Sequence, residues 1–201
     1  MSKKLEYTAT NMARKFWLQE MIIGANLKCQ GYTDQDIRKK SFEENIFQGR
    51  SENFRREIAS GIILRLNTLD KYLIDLLSSS NLEVGKQIII YSIMKSDKFF
   101  FDFMNEIYKD KIILKDFNIR NADLKVFINR KQEQIPKIAA WKSTTIERLK
   151  TNYITYLVEA GFIKKTKENL EITIPIVNKQ LQDHFIEIGD EIYLQAMIGE
   201  I

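Results

Sequence analysis

The stretch WKSTTIERLKTNYITYLVEAGFIKK, residues 141–165, decides how the chain is read. Ser143 or Thr144 opens a helix there, and Glu147 stands three residues after Thr144, the spacing of a capping box. Ile146, Leu149, Tyr153, Leu157 and Ala160 then share one side, with Tyr156 beside them. The opposite side carries Thr144, Arg148, Thr151, Asn152 and Thr155, continuing from Ser143 and Thr145 at the start. A solvated face is more usually filled with Lys and Glu. Short side chains rich in donors and acceptors approach phosphate oxygens and groove edges closely, without charge repulsion. Gly161 ends the helix, since glycine alone takes a left-handed C′ position without cost.

Working outward, FIKKTKENLEITIP (162–175) predicts a β-hairpin of two extended pieces, Phe162–Lys165 and Leu170–Ile174, with Lys164, Lys165 and Lys167 at its tip. Upstream, the spacing predicts a helix over Ala122–Gln134, stopped before Pro136. From residue 120 to 150 there are eight Lys/Arg and three Asp/Glu, so this helix is basic too. Two helices followed by a basic hairpin form a winged-helix pattern, whose second helix enters the major groove while the wing meets flanking phosphate. Such shapes also dock proteins, and the pattern leaves both uses open.

The N-terminal part reads as a helical bundle. Expected helices run over Ala13–Gln30, from Thr33 through the basic run Arg38, Lys39 and Lys40, and from Ser51 along Phe54, Ile58, Ile62, Leu66, Leu69, Leu73 and Leu76. Glu83–Lys95 and Asp97–Lys109 follow as an apolar pair, with Phe99, Phe100, Phe101 and Phe103 as the core of the first domain and Ser96 or Asp97 as a cap. Short helices at Val177–Ile188 and Asp190–Ile198 finish the chain. The expected fold is mainly α, a helical bundle over 1–115 followed by a winged-helix-like part over 116–201 with one short hairpin. Arg38, Lys39, Lys40, Arg50, Arg55 and Arg56 form a second candidate basic patch, but Glu43, Glu44, Glu52 and Glu57 interleave with them and favour a solvated, partly self-cancelling face.

The 201 residues are 44% hydrophobic and 29% charged with a net charge of +4, the balance of a globular chain with a weak leaning towards anionic partners. One cysteine, Cys29, gives no internal disulfide and reads as a small core residue. His184, the one histidine, lacks the second His or Cys a metal site would need and reads as partly buried structure. Trp17 and Trp141 read as packing anchors. A secretory leader and a membrane-length apolar run are both lacking, so the expected location is the cytoplasm. No phosphate loop, zinc-protease motif or nucleophile elbow is present, and the expectation is a protein that is not an enzyme and takes no cofactor or metal.

Three segments carry a resemblance: ENIFQGRSENFRREIASGIILRLNTLD (44–70), MKSDKFFFDFMNEI (94–107) and FINRKQEQIPKIAAWKSTTIERLKTNYITYLVEAGFI (127–163). Together they resemble the BrxA family, the small helical component of bacteriophage exclusion (BREX) defence systems. The resemblance implies a non-enzymatic protein that binds double-stranded DNA, with an N-terminal part similar to the antitermination factor NusB. It bears on the motif from Trp141 to Gly161 and on Arg50, Arg55 and Arg56. Two alternatives stand beside it: an adaptor docking other BREX proteins, and NusB-like RNA binding.

Overall fold

The computed structural model describes residues 6–166 and 169–200, and these form two compact units. One spans Phe16–Ser92; the other joins the N-terminal residues up to Lys15 with the chain from Ile93 onward. The division therefore falls at 15/16 and 92/93, whereas the sequence places a boundary at 115/116. The phenylalanines near residue 100 explain the difference. Phe99 stacks on Phe127 at 5.2 Å and meets Trp141 edge-on at 5.3 Å, and Phe100 lies 4.9 Å from Tyr153. Phe99, Phe100 and Phe103 are core, as read, but core of the unit that contains the helix around Tyr153, while Phe101 is half-buried.

The Phe16–Ser92 unit is helical: α1 (Leu18–Cys29), α2 (Asp34–Glu43), α3 (Glu52–Leu66), α4 (Lys71–Ser79) and the first part of α5 (Leu82–Ser96). Side chains close the helix starts. Thr33 and Asp36 make a reciprocal capping box, Ser51 accepts from the Phe54 amide, and Asp70 accepts from the Leu73 amide. The Asp70 cap is why the long stripe from Phe54 to Leu76 is two helices and not one. Likewise α1 begins at Leu18 and not at Ala13, because Trp17 adopts a left-handed conformation (φ 59°) that no helix continues through. Residues Thr10–Met12 form a separate 3-10 turn.

Gly24 allows α1 and α3 to approach, since a Cβ there would lie 2.8 Å from Ile62 and 2.9 Å from Leu66. Arg65 is buried, donating to the Phe16 carbonyl at 2.9 Å with its guanidinium 5.3 Å from the Trp17 ring. Cys29 is exposed beside Asp75 and Ser78, so it is not the core residue expected.

The other unit begins with a continuous helical run, α6 (Lys98–Phe103), a π turn (Met104–Tyr108) and α7 (Lys109–Ile113). Strand β1 (Asn118–Ile119), α8 (Asn121–Gln134), the single turn α9 (Pro136–Ala139), α10 (Ser143–Ala160), β2 (Ile163–Lys165), β3 (Leu170–Ile172), α11 (Lys179–Glu187) and α12 (Glu191–Ile198) follow. The strands form an antiparallel sheet in the order β1-β3-β2, with Ile119 opposite Leu170 and Lys165 opposite Leu170 on its other side. Only two residues long, β1 escapes detection by alternation. Pro136 ends α8 as expected and then starts α9, where its missing amide is no loss. His184 is half-buried on α11. Among the described residues no helix is long and apolar enough to cross a membrane.

Two buried carboxylates fix α10 and α8. Asp97 caps α6 through the Phe99 and Phe100 amides (3.0 and 3.1 Å), and its other oxygen accepts from Asn11 (2.6 Å) and the Tyr153 hydroxyl on α10 (2.8 Å). Asp102 accepts from Lys131 on α8 (2.6 Å), Lys98 (2.7 Å) and Tyr7 (2.7 Å). For Asp102 burial pushes the carboxyl upward, but these three donors outweigh it and hold it below its ordinary range. For Asp97 burial prevails over the donors, and the carboxyl is raised.

Candidate nucleic-acid interface

Helix α10 organises the site. Ile146, Leu149, Tyr153, Tyr156, Leu157 and Ala160 are buried, so the face assigned to packing is the one that packs. Gly161 closes the helix at φ 80°, with its amide on Val158. The start differs from expectation. Lys142, whose side chain has no acceptor to offer, takes the N-cap position, and Glu147 lies two residues past the N3 position from which a side chain reaches back. Glu147 instead pairs with Lys150 at 2.5 Å, so the expected capping box is absent.

On the outward face Ser143, Thr144, Arg148, Thr151 and Thr155 are exposed and Thr145 is half-buried. Thr151 donates to the Glu147 carbonyl (2.8 Å) and Thr155 to the Thr151 carbonyl (2.9 Å). Both hydroxyl protons are thus spent within the helix, leaving acceptor lone pairs towards solvent until the side chains rotate. Asn152 has a different job from the one read. Its amide donates to the carbonyls of Met12 (2.8 Å), Asn11 (2.9 Å) and Arg14 (3.3 Å), and the Tyr156 hydroxyl donates to Arg14 at 2.7 Å. Asn152 holds the N-terminal segment to the helix.

Beside α10 lies an open cleft of about 500 Å³, walled by the start of α8, the α10 edge of Lys150, Ile154 and Val158, and the hairpin. Three cations line it, Arg120, Lys150 and Lys165, and no Asp or Glu is among the described residues of its wall. Arg120 forks onto Asp116 (2.7 and 3.3 Å), and that pair holds the Asp116 carboxyl well below the usual range. Lys164 and Lys165 are exposed on β2, while Lys167 lies outside the described residues. Arg120 and Lys150 were not singled out from the sequence. Their signal was the basic excess over 120–150, and only the fold shows which members of that run converge.

The second candidate patch, in the Phe16–Ser92 unit, is more occupied. Arg55 is half-buried, donating to the carbonyls of Gly49 (3.2 Å) and Phe42 (3.1 Å), and so builds the loop before α3. Arg38 donates to Ser60 (2.8 Å), Lys40 pairs with Glu44 (3.0 Å), and Arg56 lies 3.8 Å from Glu52 with its guanidinium over the Phe42 ring. Arg50 sits over the Phe54 ring, and Arg50 and Lys39 are exposed.

Comparison with known proteins follows the same fold and sequence. The BrxA family profile matches residues 5–189. A BREX protein BrxA of Bacillus cereus (strain H3081.97) is 38% identical over 200 residues, covering all of both chains. Another, from Escherichia coli O9:H4 (strain HS), is 25% identical over 130 residues, 65% of this chain and 61% of that protein. The crystal structure of an uncharacterized protein from Magnetospirillum magneticum superposes with a TM-score of 0.83 at 19% identity, over 96% of this chain and 99% of that one, which shows a shared fold. The profile match and the full-length relative assign the chain to the BrxA family.

Proposed function

We propose that the chain is a non-enzymatic double-stranded DNA-binding component of a BREX phage-defence system, with α10 as its reading helix. The defence setting is drawn from the BREX name carried by the relatives. The DNA reading rests on one observation above the others: Arg120, Lys150 and Lys165 converge on the cleft along α10, and Asp116 and Glu147, which pair with the first two, lie outside its described wall. Such a surface attracts a polyanion and releases its counterions on binding.

The topology supports the same reading. A helix, a short strand, two helices joined by the single turn α9, and a hairpin, with strand order β1-β3-β2, fit a winged-helix arrangement in which α8 and α10 are the helix pair and β2–β3 the wing. Thr144, Arg148, Thr151 and Thr155 then face groove edges, while Lys164, Lys165 and the cleft cations meet phosphate.

The test is a titration across salt with matched duplex DNA, single strand and RNA. Duplex is expected to bind tightest, and Arg148→Glu to weaken it at least tenfold at 100 mM salt, with a Lys164/Lys165→Ala double variant lowering the salt slope by about 2. Parental affinity and slope in both variants would overturn the DNA reading. Preference for RNA, or partner capture that survives nuclease with no binding of free nucleic acid, would move the assignment to the RNA or adaptor alternative.

A further inference from the structure

We infer that the N-terminal segment Ala9–Lys15 is a second arm of the interface, meeting the strand of the duplex opposite to the one met by the hairpin. The inference rests on the DNA reading of α10 given above. A helix with its side chains is about 10–12 Å across and fills a major groove about 12 Å wide, so the phosphates of the two strands run along its two edges. Contacts on a single edge leave the helix free to roll out of the groove; contacts on both hold it.

The two edges of α10 are furnished differently. One edge, carrying Lys150, Ile154 and Val158, opens on the cleft that the hairpin walls, with Lys165 and Arg120 across it. The other edge carries Asn152 and Tyr156, and both are spent on the backbone of the N-terminal segment. That segment is anchored at depth as well: Asn11 is buried, with its amide on Asp97. A chain held through three of its carbonyls and one buried side chain is already ordered, so it adds contacts without the usual ordering cost. Lys15 leaves this anchored stretch directly after the Arg14 carbonyl that Asn152 and Tyr156 both bind, and it is exposed. Lys15 thus stands, one residue beyond an anchored carbonyl, at the α10 edge away from the hairpin, and the second strand's phosphates are the partner proposed for its ammonium. Asn152 acts through the arm as a positioning residue.

The experiment uses the full chain and a duplex of about 20 base pairs, with affinity measured over a series of salt concentrations and a hydroxyl-radical footprint of each strand. Lys15→Glu should weaken binding about tenfold at 100 mM salt and lower the salt slope by about 0.9, with protection lost on one strand only; Lys15→Arg should retain parental binding. Asn152→Ala should weaken binding in the same direction and lose the same strand's protection, and Lys164→Ala should lose protection on the other strand. If the parent binds duplex and Arg148→Glu loses it, yet Lys15→Glu keeps parental affinity, slope and footprint, the second arm is overturned while the DNA reading stands. If the parent does not bind duplex, both fall together.

Discussion

Asp97 shows how much a single side chain holds here. It is 1% exposed, yet it serves four donors from three parts of one unit: two α6 amides, Asn11 and Tyr153 of α10. Asp97→Ala removes a helix cap and leaves buried donors without an acceptor, and the expected loss is about 3–5 kcal/mol in urea unfolding. The pH dependence has a definite sign. Burial raises the Asp97 carboxyl in the folded state, so folding favours its protonated form. Its contribution is complete below the ordinary carboxylate value of about 3.9 and is lost as pH rises through the raised folded value. Asp102 works oppositely: its lowered carboxyl contributes above the ordinary value and loses that contribution as pH falls. Urea midpoints of Asp97→Asn relative to the parent should therefore improve from pH 4 to pH 7, because the variant never carries the buried charge. A gap that is constant or widens across that range would refute this account of Asp97.

On α10 one residue opposes the proposed DNA contact. Glu147 is exposed on the helix, where a carboxylate repels phosphate, and it pairs with Lys150, a cation of the cleft wall. Glu147→Gln removes the repulsion and releases the ammonium. Duplex affinity should rise about three- to fivefold at low salt, with a slope steeper by up to about 0.9 if Lys150 then reaches phosphate. The same affinity in variant and parent would mean that this face of α10 does not lie against the backbone. Periodicity made the buried face of α10 legible in advance, since packing repeats every three or four residues. The outward face was legible only as a composition. Asn152 resembles its neighbours Thr151 and Thr155 in sequence, and what sets it apart is a segment about 140 residues earlier that arrives beside it. The N-cap failed for a similar reason, since the choice among Lys142, Ser143 and Thr144 is made by how the chain leaves the α9 turn, which no local spacing encodes.

Over the whole molecule, charge is divided unequally in a way the net value of +4 conceals. The Phe16–Ser92 unit holds ten Lys/Arg and ten Asp/Glu, while the remainder holds 21 and 17, so the entire excess belongs to the unit with α10. The helices and the basic character of residues 120–150 were readable in sequence. The unit boundary was not, because the apolar run of Phe99, Phe100 and Phe103 looks the same whether it faces helices before it or after it. The charge division ranks the two basic patches. Pairing alone does not separate them: Arg120 and Lys150 are matched by Asp116 and Glu147 just as Lys40 and Arg56 are matched by Glu44 and Glu52, but around α10 the cations converge on one cleft wall with no carboxylate among its described residues. An Arg38/Lys39→Glu double variant should therefore cost duplex affinity less than threefold and leave the salt slope within about 0.5 of the parent, although it reverses two charges. Arg148→Glu, which reverses one, should cost at least tenfold. The two measured side by side in the same salt series separate a local interface from general attraction to a basic protein: if loss follows the number of charges reversed and not their position, α10 has no privileged role in binding DNA.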